Sequence, residues 1–207
     1  YGAGQLSEGA AFVHLGGVAG VGDGSPVDAH AQIESDQVDA FLGGSVASAG
    51  DVNGDGYGDV VVGASSYDAG QSDEGAAFLF LGSSLGIADG NPTSAYALIQ
   101  SDQAFAFLGF GVGSAGDVNG DGYGDVIVGA PQYDAGQINE GVALVFLGSP
   151  DGIEDGSPAT AYAQLESDQA SAQLGGAVAT AGDVNGDGYA DVLAGARFFG
   201  AGQAAEG

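Results

Sequence analysis

Asp51, Asn53, Asp55, the carbonyl of Tyr57 and Asp59 alternate along nine residues, with Gly56 at the sixth position. Oxygen donors at positions 1, 3, 5, 7 and 9 match a hard cation that takes six to eight oxygens, and glycine at position 6 permits the turn that wraps them round one ion. Three carboxylates and one amide favour calcium over magnesium, which is smaller and holds its water tightly. The set recurs as Asp117, Asn119, Asp121, Tyr123 and Asp125, and as Asp183, Asn185, Asp187, Tyr189 and Asp191. The spacing is 66 residues both times, so one structural unit is repeated. Three Ca2+ ions per chain are therefore expected. Position 12 is Val62, Val128 or Ala194, so an EF-hand's closing glutamate is missing and the ninth residue must close the loop. The alternative is a set of Asp/Asn/Gly turns without metal.

The rest of the sequence follows the same period. Gly9-Ala-Ala-Phe-Val-His-Leu-Gly16 corresponds to Gly75–Gly82 and Gly141–Gly148, and Ala29-His-Ala to Ala95-Tyr-Ala and Ala161-Tyr-Ala. The chain divides into repeats 1–66, 67–132 and 133–198 and the start of a fourth, 199–207, forming one domain. Each repeat carries four short runs with strand character. These are glycine-rich Leu42 to Gly50, apolar Asp59 to Ala64, Ala76 to Leu81, and a run from about Ala95 to Gln100. No stretch keeps a 3.6-residue period with caps. The fold class is all-β, a β-propeller of four-stranded blades. Small residues in the first strand suit convergence at an axis, and Phe78, Leu79, Phe80 and Leu81 suit blade-to-blade packing. A right-handed β-helix is the alternative architecture.

Composition narrows the function. Twenty-eight acidic residues face one basic residue, for a net charge of −27. Such a surface repels phosphate backbones and anionic lipid heads, so neither nucleic acid nor a membrane surface is an expected partner. With no cysteine, thiolate sites and disulfides are impossible, and calcium can supply the cross-links instead. No apolar run is long enough to span a bilayer. A salty or calcium-rich extracellular or cell-surface setting screens the charge.

The loop, the apolar run after it and the tails Gly63-Ala-Ser65, Gly129-Ala-Pro131 and Gly195-Ala-Arg197 resemble the FG-GAP repeat of integrin α-subunit propellers and many bacterial surface proteins. The family's Phe-Gly is Leu-Gly here, at Leu42-Gly43, Leu108-Gly109 and Leu174-Gly175, and one tail of three keeps the proline. The resemblance implies a propeller that holds calcium and serves adhesion, sugar binding or scaffolding. A calcium-stabilised extracellular module for binding or adhesion, with no catalysis of its own, is the favoured reading. The alternatives are a lectin-like propeller and a piece of a larger enzyme-bearing or fibre-forming surface protein.

Other residues carry less. His14 and His30 stand where the later repeats have aromatics and are expected to pack. Ser35-Asp36, Ser101-Asp102 and Ser167-Asp168 are expected to turn the chain between blades. Arg197 is expected to form a local salt bridge, and Tyr67 and Tyr133 offer a candidate sugar-stacking platform. Three repeats are too few for a closed ring. Two copies completing each other's split blade would give a six-bladed homodimer, and the remainder of a longer chain is the alternative.

Overall fold

The computed structural model describes residues 4–200 and 202. The Tyr1-led start of the first repeat and most of the fourth, at 201 and 203–207, lie outside them. Among the described residues, twelve strands form four antiparallel sheets. An outer pair, β1 (Ala10–Val13) and β2 (Ala31–Glu34), comes first. A complete blade follows: β3 (Leu42–Gly50), β4 (Asp59–Ala64), β5 (Ala76–Phe80) and β6 (Ala97–Gln100). The second complete blade is β7 (Gly111–Gly116), β8 (Asp125–Ala130), β9 (Val142–Phe146) and β10 (Ala163–Glu166), and an inner pair, β11 (Leu174–Gly182) and β12 (Asp191–Ala196), ends the series. Each sheet is a meander in chain order. This antiparallel pairing removes the β-helix alternative, which needs parallel ladders. Two strand ends differ from expectation: β5 stops at Phe80 and β6 starts at Ala97. Tyr96 N already pairs with Leu79 O at 2.8 Å, so the ladder frays there rather than breaks.

The sheets stack face to face because alternate side chains of a strand point to opposite faces. On β5, Ala77 and Leu79 join a core with Val126, Val128 and Leu144 of the next blade. Phe78 and Phe80 join Ile33, Ala11 and Ile87 on the other side. On β8 the odd residue out is Ile127, which packs towards Val178 and Val192 of the last pair. The second strand of a blade is thus apolar on both faces, which explains its unbroken run in the sequence. Each fully buried Leu or Phe contributes about 1.5–3 kcal/mol.

Two glycines explain why the Leu-Gly and Gly-Ala elements occur together. Gly175 opens β11 with φ +90°, a conformation that disfavours side chains. Its carbonyl presses onto Gly129 of β8, where an added Cβ would lie 1.9 Å from that oxygen. Gly109 meets Gly63 in the same way at 2.0 Å. Neighbouring blades touch backbone to backbone at these points. The turns are shared too. Ser35 Oγ donates to Glu8 O at 2.9 Å, Asp36 takes φ 55°, and Gln37 reaches the next repeat at Asp68 N, 2.7 Å away. Ser101 and Ser167 repeat the arrangement, as the expected turns between blades.

Candidate metal centres

Each acidic loop joins the first and second strands of a blade. Asp51 leads it: Oδ1 accepts from Asp55 N at 3.1 Å and Oδ2 from Gly56 N at 2.8 Å. Asn53 Oδ1 accepts from the same Asp55 amide at 3.0 Å, so the oxygens of positions 1 and 3 converge on one side of the loop. Asp55 Oδ1 accepts from Tyr57 N at 2.9 Å. The second and third loops repeat these bonds at Asp117, Asn119 and Asp121 and at Asp183, Asn185 and Asp187. Gly56, Gly122 and Gly188 have φ of +89°, +92° and +93°, as a sixth-position turn requires.

The ninth residue stands apart. Asp59 is buried, with Oδ2 accepting from Val52 N at 2.8 Å and Oδ1 from Gly82 N at 2.7 Å. Asp125 binds Val118 N and Gly148 N at 2.8 Å each. In these two blades the carboxylate ties the loop to the end of the third strand, a role that the motif does not reveal. Each oxygen still has a lone pair to offer. Among the described residues, the Asp191 carboxylate accepts only from Val184 N, at 2.8 Å, and no third strand lies beside that loop. Among the described residues, three acidic groups with oxygens mutually within 4.8 Å occur only at Glu140, Glu166 and Asp168. Buried Glu140 there already accepts from Gln137 N at 2.7 Å. The loop carboxylates are thus wider apart than that. Like charges repel, and a cation is what would draw them in.

The charges register this tension. Burial pushes the Asp59 carboxyl above the usual carboxylate range; the Gly82 and Val52 amides pull it back, and Asp55 and Asp51 push it further up. Asp125 is raised by the same causes. Asp183, on the solvent-facing loop, is lowered, first by the Gly188 amide.

The loops are also linked to one another. Gly124 N donates to Asp51 O at 2.8 Å, and Ala190 N to Asp117 O at 2.9 Å. The Tyr123 ring lies over Gly54, where a Cβ would stand 2.7 Å from it, and Tyr189 covers Gly120 likewise. The seventh-position rings of Tyr123 and Tyr189 therefore each cover the loop before. A tyrosine at every seventh position and a glycine at every fourth were the available signals.

Several expectations change. Tyr67 is no platform: its ring packs edge-on against Phe78, 5.1 Å between centroids, and Tyr133 packs against the core. Arg197 meets an amide and rings rather than a carboxylate. Nε donates to Gln173 Oε1 at 2.7 Å, and the guanidinium sits 4.9 Å from the Phe198 ring centre. His14 and His30 are both exposed, although the His30 ring still lies on Gly86, where a Cβ would stand 2.6 Å from its Nε2. Leu81 lies half-buried just past the end of β5 and still packs against the core between the blades, as expected.

Stacked four-stranded blades with an acidic loop between their first two strands define a β-propeller segment. The chain belongs to the FG-GAP repeat family, whose model matches residues 43–80, 110–143 and 174–206. It is similar to integrin alpha pat-2 of Caenorhabditis briggsae, 35% identical over 78% of this chain and 14% of that protein. It is 32% identical to human integrin alpha-IIb over 84% of this chain and 16% of that one. A phosphatidylinositol-glycan-specific phospholipase D of Bos taurus is 33% identical over 76% of this chain and 19% of its own length. The chain thus spans less than a fifth of the length of each of these curated relatives. Among the described residues, no helix is long and apolar enough to cross a membrane.

Proposed function

We propose that this chain is a calcium-stabilised, extracellular or cell-surface propeller segment for binding or adhesion, without catalysis of its own. One observation carries the reading. Three loops with matching oxygen donors are tied blade to blade by Gly124 N and Ala190 N. Calcium at Asp51, Asn53, Asp55, the Tyr57 carbonyl and Asp59, and at the equivalent residues of the other two loops, would stiffen that end. Connections at the opposite end are then free to meet a partner. The cation would neutralise and cross-link carboxylates, a structural duty. Similarity to integrin α-subunits supports adhesion, and similarity to a phospholipase covers too little of that enzyme to carry its chemistry. A panel of immobilised glycans and matrix proteins tests the proposal, probed with calcium and then with a chelator. Capture that calcium supports and the chelator abolishes is expected; capture indifferent to the chelator contradicts it.

Self-association belongs to the same proposal. Among the described residues, β1–β2 is an outer pair without inner strands, and β11–β12 an inner pair without outer ones. Such open edges invite pairing. A second copy offers the complementary half at each end, whereas further sequence of a longer chain would do so within one molecule. By light scattering, the 207-residue chain is expected at twice its 19.9 kDa mass. A folded monomer in dilute solution removes the homodimer.

A further inference from the structure

The three repeats act as controls for one another, and the first departs from the others at three positions that share one cavity. Phe80 and Phe146 correspond to His14, Tyr96 and Tyr162 to His30, and Ser94 and Thr160 to Asp28. His14, His30, Asp28 and the repeat-invariant Asp23 all line a cavity of about 360 Å3 beside the β1–β2 hairpin. The chain's only two histidines both reach it. Val13 pairs with Ala31 and also accepts from His30 N at 2.7 Å, so His14 directly follows the last paired residue of β1 and His30 directly precedes the first of β2.

Asp28 retains the duty of the hydroxyl it replaces and adds a charge. Ser94 and Thr160 each accept from a backbone amide three residues earlier, at 2.9 Å. Asp28 Oδ2 does the same for Ser25 N at 3.1 Å and also takes the Ser25 hydroxyl at 2.8 Å. Oδ1 is left for another partner. The His14 ring lies beside it, since a Cβ at Gly24 would meet His14 Nδ1 at 3.3 Å and Asp28 Cβ at 3.7 Å.

Mere loss of cover does not explain both histidines. Phe80 and Phe146 are buried, so a polar residue at the uncovered His14 could reflect exposure alone. Tyr96 and Tyr162 are exposed already, so His30 replaces a tyrosine that needed no replacing. The geometry points to a transition-metal site: His14, His30 and Asp28 hold a borderline divalent cation of the zinc class, separate from the oxygen-only loops. Two imidazoles and a carboxylate suit zinc with an open fourth position, whereas calcium prefers oxygen alone. The three donors are not within 4.8 Å of one another in the unliganded chain. Both histidines are exposed at the end of the β1–β2 pair and line one cavity with Asp28, so side-chain rotation can assemble the site.

The test titrates Zn2+ into the full chain with calcium saturating the acidic loops. One zinc equivalent is expected to shift the imidazole NMR signals of both histidines together. The double variant His14→Phe/His30→Tyr copies the residues of the next two repeats, and Asp28→Ser copies the second. The double variant is expected to lose that zinc ion. Asp28→Ser is expected to weaken it at least about tenfold, since even outer partners of a metal ligand cost that much. Histidine signals that ignore stoichiometric zinc, or equal zinc uptake by wild type and the double variant, overturn the site. The wild-type spectrum decides even if a variant fails to fold.

Discussion

Stripping calcium from the chain is expected to lower its melting midpoint by about 15–30 °C. One site at a free calcium concentration about a hundredfold above its Kd adds about 2.7 kcal/mol. Three such sites add about 8 kcal/mol, comparable with the whole stability of an ordinary domain, about 5–15 kcal/mol. For a chain of this size each kcal/mol moves the midpoint about 2–4 °C. The loss should be large because the loops have little else to offset their charge in a chain with one basic residue. Magnesium is not expected to substitute.

The two conditions should also respond to pH with opposite sign. Asp59 and Asp125 have raised pKa values when folded, so the calcium-free fold binds protons more readily than the unfolded chain does. Stability from these groups is lost as pH rises through the raised values and is fully present below the ordinary 3.8. The calcium-free chain should therefore gain stability as pH falls from neutrality towards 3.8. Asp183, whose pKa is lowered, acts in the opposite direction only below that value. The calcium-loaded chain should lose stability over the same range, because protons compete for the ligands. Midpoints measured with and without chelator across that range check both signs.

Gly129→Ala is expected to cost about 3–5 kcal/mol, at the severe end for a single methyl group. The new Cβ would stand 1.9 Å from the Gly175 oxygen, 2.7 Å from its carbonyl carbon and 2.9 Å from its Cα. All three are backbone atoms of β11, in the bulge between Leu174 and Ala177, which both pair with β12; the strand also packs on Ile127 through Val178. Nothing flexible is available to move aside, so the blades must part. Gly58→Ala is the control: it has open space around it and no left-handed φ, and it should be close to neutral. Denaturant unfolding of both variants in saturating calcium makes the comparison. Equal midpoints would mean that the blades are not in backbone contact at this point.

The strands were legible because their residue types and their turns agree. The run from Asp59 to Ala64 is apolar on both faces, and its central position between two blades requires that. The glycines of Leu42 to Gly50 are needed where neighbouring blades crowd. The loops were legible as donor sets, since alternate oxygens and a sixth-position glycine are a local pattern. What could not be read was everything fixed by contact between repeats. Asp59 has the spacing of a ligand, but its bond to Gly82 joins residues brought together only by the sheet. Tyr67 sits beside a glycine-rich turn, as a surface residue would, yet the turn folds its ring onto Phe78. Charge alone does not find the partners of Arg197, which are Gln173 and two aromatic rings. The histidines were matched to aromatics correctly by position, but position does not tell which blade face has a neighbour.

The central claim is that every acidic loop holds calcium, and counting ions tests it most directly. Calorimetric titration of calcium into the chelator-treated chain is predicted to give three ions per chain, with one lost in each of Asp51→Ala, Asp117→Ala and Asp183→Ala. No saturable uptake, or a stoichiometry unchanged by these substitutions, would contradict it.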